Sequence, residues 1–457
     1  MRIQPNPNPE NKVSSPGQPK EQMVEDEFLT LANMNPVMSQ ARERAFSRVF
    51  SDMDELFRKN QWEEILAVYY PIKEKLPELA DHARLHQLRG KLAFALGQIK
   101  RFDEAIEELR LCVEQAPNDF YHHNSLAYTA YNSLYAAKNR EVFLAGKLKE
   151  NRIQLAHKHF TAAQAIRSDT ITNYYRRGML FKQIENKPQK AIPMFQRAVK
   201  NWESLDDESR EMRQREYKNY IKSLYHLASC LLNTRCPQMA LDAIKRCLSH
   251  DEGTNHVSLL FKFFALGKIQ FHLNQFSEAK DALKFALKTA ENKPADFVFE
   301  LLARTYLALN DPERALKTIR HVPENRRRPY IQWTEADILC SLRQFSEAEA
   351  ILEKCSKRDN RSRHKALVRM ARISYLLSRY KDTVTFAQNA SAFFREKWNN
   401  AYDEGMFWEA LGLYRLGDIE AARTLAEDLR IICPDYDKLE ILISRLESND
   451  HETNTAN

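Results

Sequence analysis

The chain has 457 residues, beyond the ~250–300 at which a single hydrophobic core stops growing, so it either divides into domains or grows as a repeated array. Glycine is scarce, at 10 residues, and 29% of the side chains are charged, a balance that suits long solvated helices and disfavours a sheet protein or a dinucleotide-binding α/β fold. The formal charge of +7 is small for this length and well short of what a dedicated nucleic-acid binder carries.

No apolar run approaches the ~18–20 residues that cross a bilayer, and the N-terminus lacks a secretory apolar core, so a soluble, cytoplasmic chain with no membrane partner is expected. Seven cysteines (Cys112, Cys230, Cys236, Cys247, Cys340, Cys355, Cys433) follow no CxxC or zinc-ribbon spacing, which predicts free thiols and no metal. Residues 1–40 carry Pro5, Pro7, Pro9, Pro16 and Pro19 among polar side chains and cannot bury enough apolar surface to offset ordering. A disordered arm is expected there, and a frayed polar tail over 446–457.

Between these ends a seven-residue pattern recurs: IKRFDEA (99–105), LNQFSEA (273–279), LNDPERA (309–315), LRQFSEA (342–348) and LGDIEAA (416–422). These residues resemble the tetratricopeptide repeat, a pair of antiparallel helices, A and B, of about 34 residues, small at its eighth and twentieth positions and often at its twenty-seventh. The resemblance implies an all-α, right-handed α-solenoid of about ten antiparallel hairpins over residues 41–445. The twentieth position reads Ile65, Ala105, Ala156, Ala191, Ala240, Ala279, Ala315, Ala348, Thr383 and Ala422. Twelve residues earlier stand Ala93, Ala228, Gly267, Ala303, Ala336, Ala371 and Ala410, as closely crossing helices require. The twenty-seventh position reads Cys112, Ala163, Ala198, Cys247, Ala286, Val322, Cys355 and Ala390, which places three cysteines as small core packers.

The first repeat is divergent, with Met53 where a small residue belongs. Asp311 and Pro312 suit the cap and first position of a helix B. Trp62, Phe102, Phe276, Phe345 and Tyr380 share the slot that plugs each turn. Two repeats are stretched. An excess of 17 residues between Ala127 and Ala156 is assigned to lengthened helices around Ala130–Ile153, and the charged segment Asn201–Tyr220 is read as extending or linking helices in solvent.

In the family, the second, fifth, ninth and twelfth positions of helix A face the inner wall of the superhelix. Seventeen of those forty residues are aromatic here, where the chain average of 10% would give about four. The partner-binding candidates are Phe94, Tyr121, Tyr128, Tyr131, Tyr175, Tyr225, Phe264, Phe271, Tyr330, Trp333 and Tyr375, with the cations Lys182, Lys222, Lys268, Arg304 and Arg372. Rings with interspersed cations make interface hot spots, but rings at helical spacing also simply fill the space between neighbouring A helices. Two basic loops, with Arg326, Arg327 and Arg328 in one and Arg358, Arg361 and Arg363 in the other, are expected to form one patch, either solvated or docking an acidic segment.

No phosphate loop, GxGxxG, HExxH or GxSxG motif is present, and His122, His123, His157 and His159 are expected on helix surfaces. No catalysis and no cofactor are expected. The chain reads as a scaffold or adaptor holding a protein segment with acidic and apolar side chains, and single-stranded nucleic acid is the alternative occupant.

Overall fold

A computed structural model describes residues 36–291 and 293–454, among which there are 23 α-helices and no strand. Its contacts divide the chain into two compact units, Met1–Glu185 and Asn186–Asn457. The first unit contains α1 (Pro36–Arg58), α2 (Trp62–Tyr69), α3 (Ile72–Lys75), α4 (Leu85–Gln98), α5 (Phe102–Gln115), α6 (Phe120–Lys138), α7 (Gly146–Ile166) and α8 (Ile171–Met179), which runs on into a π-helical turn at Leu180–Ile184. The second contains α9 (Pro188–Glu203), α10 (Asp207–Met212), α11 (Gln214–Asn233), α12 (Pro237–His250), α13 (Leu259–His272), α14 (Phe276–Lys288), α15 (Asp296–Ala308), α16 (Pro312–Ile319), α17 (Pro329–Ser341), α18 (Phe345–Arg358), α19 (Arg363–Leu376), α20 (Tyr380–Trp398), α21 (Asp403–Leu416), α22 (Ile419–Ile432) and α23 (Leu439–Asn454).

Within the second unit each helix from α11 onward packs on the next, and α11, α13, α15, α17, α19, α21 and α23 also pack on one another in succession. That is an α-solenoid whose A helices form one continuous face. The first unit stacks in the same way through α4 and α6.

Small side chains make this stacking possible. All ten residues at the twentieth position lie at 0% exposure, as do Ala93, Ala228, Ala303, Ala336, Ala371 and Ala410 across from six of them. Gly267 shows how tight the contact is: a Cβ built on it would lie 2.7 Å from Leu283 Cγ and 3.2 Å from the Ala279 carbonyl oxygen on the facing helix α14. Cys112, Cys247 and Cys355 are buried at the twenty-seventh position, and burial pushes the Cys112 and Cys247 thiols up to about 12. All seven cysteines are free.

Each hairpin turns in one way. Asn60, Lys100, Asn186, Arg235, Asn274, Asn310, Arg343, Ser378 and Gly417 each sit five residues before a twentieth position, and all nine have positive φ. At eight of these turns, Asn186 excepted, the left-handed residue donates its N–H three residues back, and the following N–H reaches five back, as Gln275 N to the Gln270 oxygen at 2.9 Å. This closes the last open carbonyls of helix A. The next residue but one opens helix B, where Trp62, Phe276 and Tyr380 pack on Phe57, Phe271 and Tyr375 at 5.0, 5.4 and 5.6 Å. At α16, Asp311 accepts the Arg314 N–H, with Pro312 in the first position, as expected.

Several boundaries differ from expectation. Residues 1–35 of the expected arm lie outside the described residues, but α1 begins at Pro36 rather than after residue 40. At the other end α23 runs to Asn454, because Leu439, Leu442 and Leu446 form a helical stripe buried on α21 and α22; only residues 455–457 of the expected tail lie outside the description. The excess near 130–153 is shared between long helices α6 and α7 and an irregular connection, 139–145. The Asn201–Tyr220 stretch does link helices, through the solvated α10, but it also holds a ring cluster. Trp202 lies 5.1 Å from Tyr217 and 5.7 Å from Tyr220, and Tyr220 donates to Glu203 at 3.1 Å. Those rings come from two helices, so no single period reveals them.

Gly267→Ala pits ~1–3 kcal/mol of overpacking against the ~1 kcal/mol that a helix-interior glycine costs, and a net loss of about 1 kcal/mol is expected. Gly97, with nothing within 4 Å of its built Cβ, should instead gain about 0.5–1 kcal/mol on substitution by Ala. Urea midpoints that move in the same direction for the two variants would contradict the close-contact account. Arg343→Gly relieves a left-handed conformation that an L side chain resists, and should stabilise the chain by about 0.5–1 kcal/mol, seen as a higher urea midpoint.

Candidate functional site

Each A helix presents its second, fifth, ninth and twelfth positions on the face that meets the neighbouring A helices. In the second unit this brings the expected rings and cations together as a ladder. Phe297 on α15 packs against Phe261 and Phe264 of α13 at 6.1 and 4.6 Å. Arg304 lies 4.9 Å from the Phe271 ring centroid, and Lys268 is half-buried beside it on α13. Arg369 of α19 lies over Trp333 of α17 at 5.5 Å, and Tyr375 packs on Trp408 of α21 at 5.8 Å. Tyr330 of α17 and Tyr225 and Lys222 of α11 are half-buried, and Arg372 of α19 is exposed. Most of these rings therefore do bridge one A helix to the next, the simpler of the two roles expected of them.

Acids share this wall. Thr334 donates to Glu300 at 2.8 Å, and Arg304 lies 3.8 Å from Glu300. Burial raises the Glu300 carboxyl, against the Thr334 hydrogen bond and the Arg304 charge. Arg369 pairs with Asp337 at 3.0 Å and Arg372 approaches the same carboxylate at 3.8 Å. A cavity of about 320 Å³ opens here, lined by Asp337, Arg369, Arg372, Glu404, Trp408 and Lys438 among others. Glu300, Asp337 and Glu404 occupy inward positions that an inventory of rings and cations passes over. Arg369 occupies none, and reaches the wall only through its length.

The first unit's wall is phenolic. Tyr128, Tyr131 and Tyr135 stack along α6 at 6.2 Å spacings, and the Arg176 guanidinium lies 3.4 Å from the Tyr128 ring centroid. Tyr131 is buried and donates to Gln183 at 3.0 Å, and burial together with the neighbouring Tyr128 pushes Tyr175 up to about 12, so the phenols stay neutral. Lys182 is half-buried in the π-helical turn. Tyr121 is exposed, and Phe94 packs on Phe57 and Trp62 at 5.2 and 5.5 Å.

The basic patch is smaller than expected. Arg326 chelates Asp296 at 2.7 and 2.9 Å, and Arg327 is committed to the buried Glu335 at 2.7 Å and to the Val322 carbonyl. The loops do adjoin, since Lys354 bridges to Glu324 at 2.9 Å, and of the six arginines Arg328, Arg358, Arg361 and Arg363 are exposed outside the pairs just named.

The histidines are not surface residues. His122 pairs with His86 at 2.7 Å, and His123 pairs with His159 at 2.8 Å while its other nitrogen lies 2.9 Å from the Pro117 carbonyl. Nε2–H of His123 must donate to that carbonyl, and where its Nδ1 carries no proton that nitrogen accepts from His159. Burial, then the His123 charge, lowers His159 to about 4, and burial also lowers His364 to about 4 among Phe394, Trp398 and Tyr402. His157 meets Glu185 at 2.6 Å. Among the described residues no group of three or more His, Cys, Asp or Glu side chains is arranged to hold a metal. No helix there is long and apolar enough to cross a membrane.

A histidine neutral in the fold but basic when unfolded contributes stability that is present above its ordinary value of 6.5 and is lost as pH falls towards 4. The urea midpoint should therefore drop between about pH 6.5 and 4, and His159→Asn, which keeps a donor for His123, should flatten that drop. A pH profile identical to that of the parent chain would remove His159 from this account.

No curated protein matches the chain in sequence. A sequence model of the tetratricopeptide repeat matches residues 86–119, the hairpin of α4 and α5. Among solved structures, the apo form of RapI is 12% identical, covering 83% of this chain and 98% of its own, with a TM-score of 0.49. Tom70 of yeast is 13% identical over 90% of this chain and 97% of its own, with a TM-score of 0.39. YrrB, described as a TPR protein with an unusual peptide-binding site, is 16% identical over 53% of this chain and 99% of its own, with a TM-score of 0.34. The hairpin picked out by the sequence match is a tetratricopeptide repeat, and those that follow it share its small-residue contact and its left-handed turn.

Proposed function

We propose that this chain is a non-catalytic cytoplasmic adaptor whose second unit holds a peptide segment of another protein along the A-helix wall of α13 to α21. What carries the reading is the composition of that wall: Phe271, Trp333, Tyr375 and Trp408 supply apolar contact area beside Lys268, Arg304 and Arg372, and the cavity between α17, α19 and α21 has room for a side chain. Such a surface binds an extended or helical segment by burying its apolar side chains on rings and its carboxylates on cations. Glu300, Asp337 and Glu404 weigh against single-stranded nucleic acid, because a phosphate backbone tracking this wall would meet a carboxylate at three of the four A helices from α15 to α21. The seven free thiols support the cytoplasm as the place of action.

A random-peptide library displayed against the full chain should enrich segments that combine Asp or Glu with apolar residues. Their affinity should fall at least about tenfold when Lys268→Glu and Arg372→Glu are combined, and should change little between 50 and 200 mM salt. An oligothymidylate that binds more tightly than any selected peptide, with an affinity falling about 10³-fold or more over that salt range, would overturn the peptide reading.

A further inference from the structure

The loop that joins α6 to α7 has no counterpart at the other hairpins. Its Val142 and Leu144 turn inward and are half-buried, whereas Phe143 between them stands 91% exposed. Beside it opens a cavity of about 630 Å³, walled by Leu134, Val142, Leu144 and Ile184 and by the π-helical turn at Leu180–Ile184. That turn is held from two sides, since Lys138 Nζ donates to the Gln183 carbonyl at 2.6 Å and Tyr131 donates to its side chain at 3.0 Å. The π-helical side of the cavity is thus anchored by two hydrogen bonds, and π-helical turns of this kind recur at functional sites.

Its charge is one-sided. The acid in the lining, Glu141, is taken by Lys100 at 2.9 Å and by Asn139 at 3.3 Å. Arg140 and Lys149, both exposed in the same lining, enter no ion pair among the described residues. An apolar cavity with uncompensated cations at its rim and an uncovered aromatic ring beside it is complementary to a chain segment that carries an apolar side chain next to carboxylates. The volume fits a few residues rather than one, since pockets of ~300–1,000 Å³ enclose drug-sized ligands.

We infer that the 140–144 loop and the π-helical turn form a second docking site, for a partner segment that places an apolar side chain in the cavity and Asp or Glu side chains on Arg140 and Lys149, with Phe143 closing over it. The site is independent of the wall in the second unit. Phe143 stands 91% exposed, so removing it tests binding with little effect on folding.

The experiment selects a random-peptide library on the full chain carrying Lys268→Glu and Arg372→Glu, which disables the wall. Peptides with Leu or an aromatic residue beside Asp or Glu should be enriched. They should bind the otherwise unaltered chain, and lose at least about tenfold in affinity on Phe143→Ser and again on the double variant Arg140→Glu, Lys149→Glu. Enrichment of basic peptides, indifference of the selected peptides to both variants, or no enrichment over the Phe143→Ser chain would each overturn the site. Sedimentation showing a concentration-dependent dimer that Phe143→Ser abolishes would assign the cavity to a second copy of this chain instead. Failure of this site leaves the wall untouched, because only the first unit is altered in the deciding variants.

Discussion

The rest of this molecule depends on how closely two helices approach where, at most hairpins, the residues set against each other are alanine or glycine. The built Cβ of Gly267, 2.7 Å from Leu283, shows that at this point the approach is tighter than even alanine accepts without movement. With the A–B spacing set by alanine and glycine, each hairpin is a nearly constant unit, and the next can be laid on it at nearly constant spacing. That regularity is what lets a ring on one A helix reach the next, as Phe264 reaches Phe297 and Tyr375 reaches Trp408. The binding wall is a consequence of the small-residue contact, and a bulky residue at the contact would displace the wall without touching it.

Charge is spent inside the structure more than on its surface. Lys262 and Asp251 are buried together at 2.8 Å, and Asp251 also accepts from Thr254 and from the N–H groups of His256 and Val257, which ties the end of α12 to the start of α13. Glu335, also buried, takes both Arg320 and Arg327 and fixes the loop between α16 and α17. Removing one partner of such a pair costs about 3–5 kcal/mol, because a charge is left stranded, whereas the intact pair adds little net stability. These pairs therefore define the turns from B to A, where no left-handed cap repeats, and they explain why a chain of formal charge +7 offers so modest a basic surface.

The fold was legible in the sequence because its cause is periodic. A small residue every hairpin, with another twelve earlier, is a pattern that a single sequence displays, and the burial of all ten twentieth positions follows from it. The turn was legible only in part: Asn274, Asn310 and Gly417 are residues that adopt positive φ easily, but Lys100, Arg235 and Arg343 do the same because the hairpin imposes it. What could not be read were contacts between residues distant in sequence. Nothing local marks His159 as the partner of His123, Arg327 as the partner of a buried Glu335, or Trp202 as the neighbour of Tyr220. The wall was half legible, because inward positions follow from register, but attention to rings and cations left out Asp337 and Glu404, which stand at the same positions. Arg369 shows the limit of register itself, since a long side chain reaches a face that its Cα does not.

The two walls differ in a way that bears on selectivity. In the first unit Tyr128, Tyr131, Tyr135 and Tyr175 lie together, with Arg176 stacked on one ring. A ligand there would gain apolar area and hydroxyl hydrogen bonds, terms that salt barely screens. In the second unit Phe271 and Trp333 each have an arginine against the ring, and the charges of the wall are of both signs and partly paired already. A ligand must then replace Asp337 beside Arg372, or Glu300 beside Arg304, with a carboxylate of its own or leave those pairs intact, so a wrongly placed charge is penalised twice, once by repulsion and once by the pair it breaks. Mixed charge on a ring-lined wall thus adds discrimination between segments more than it adds affinity for any one of them.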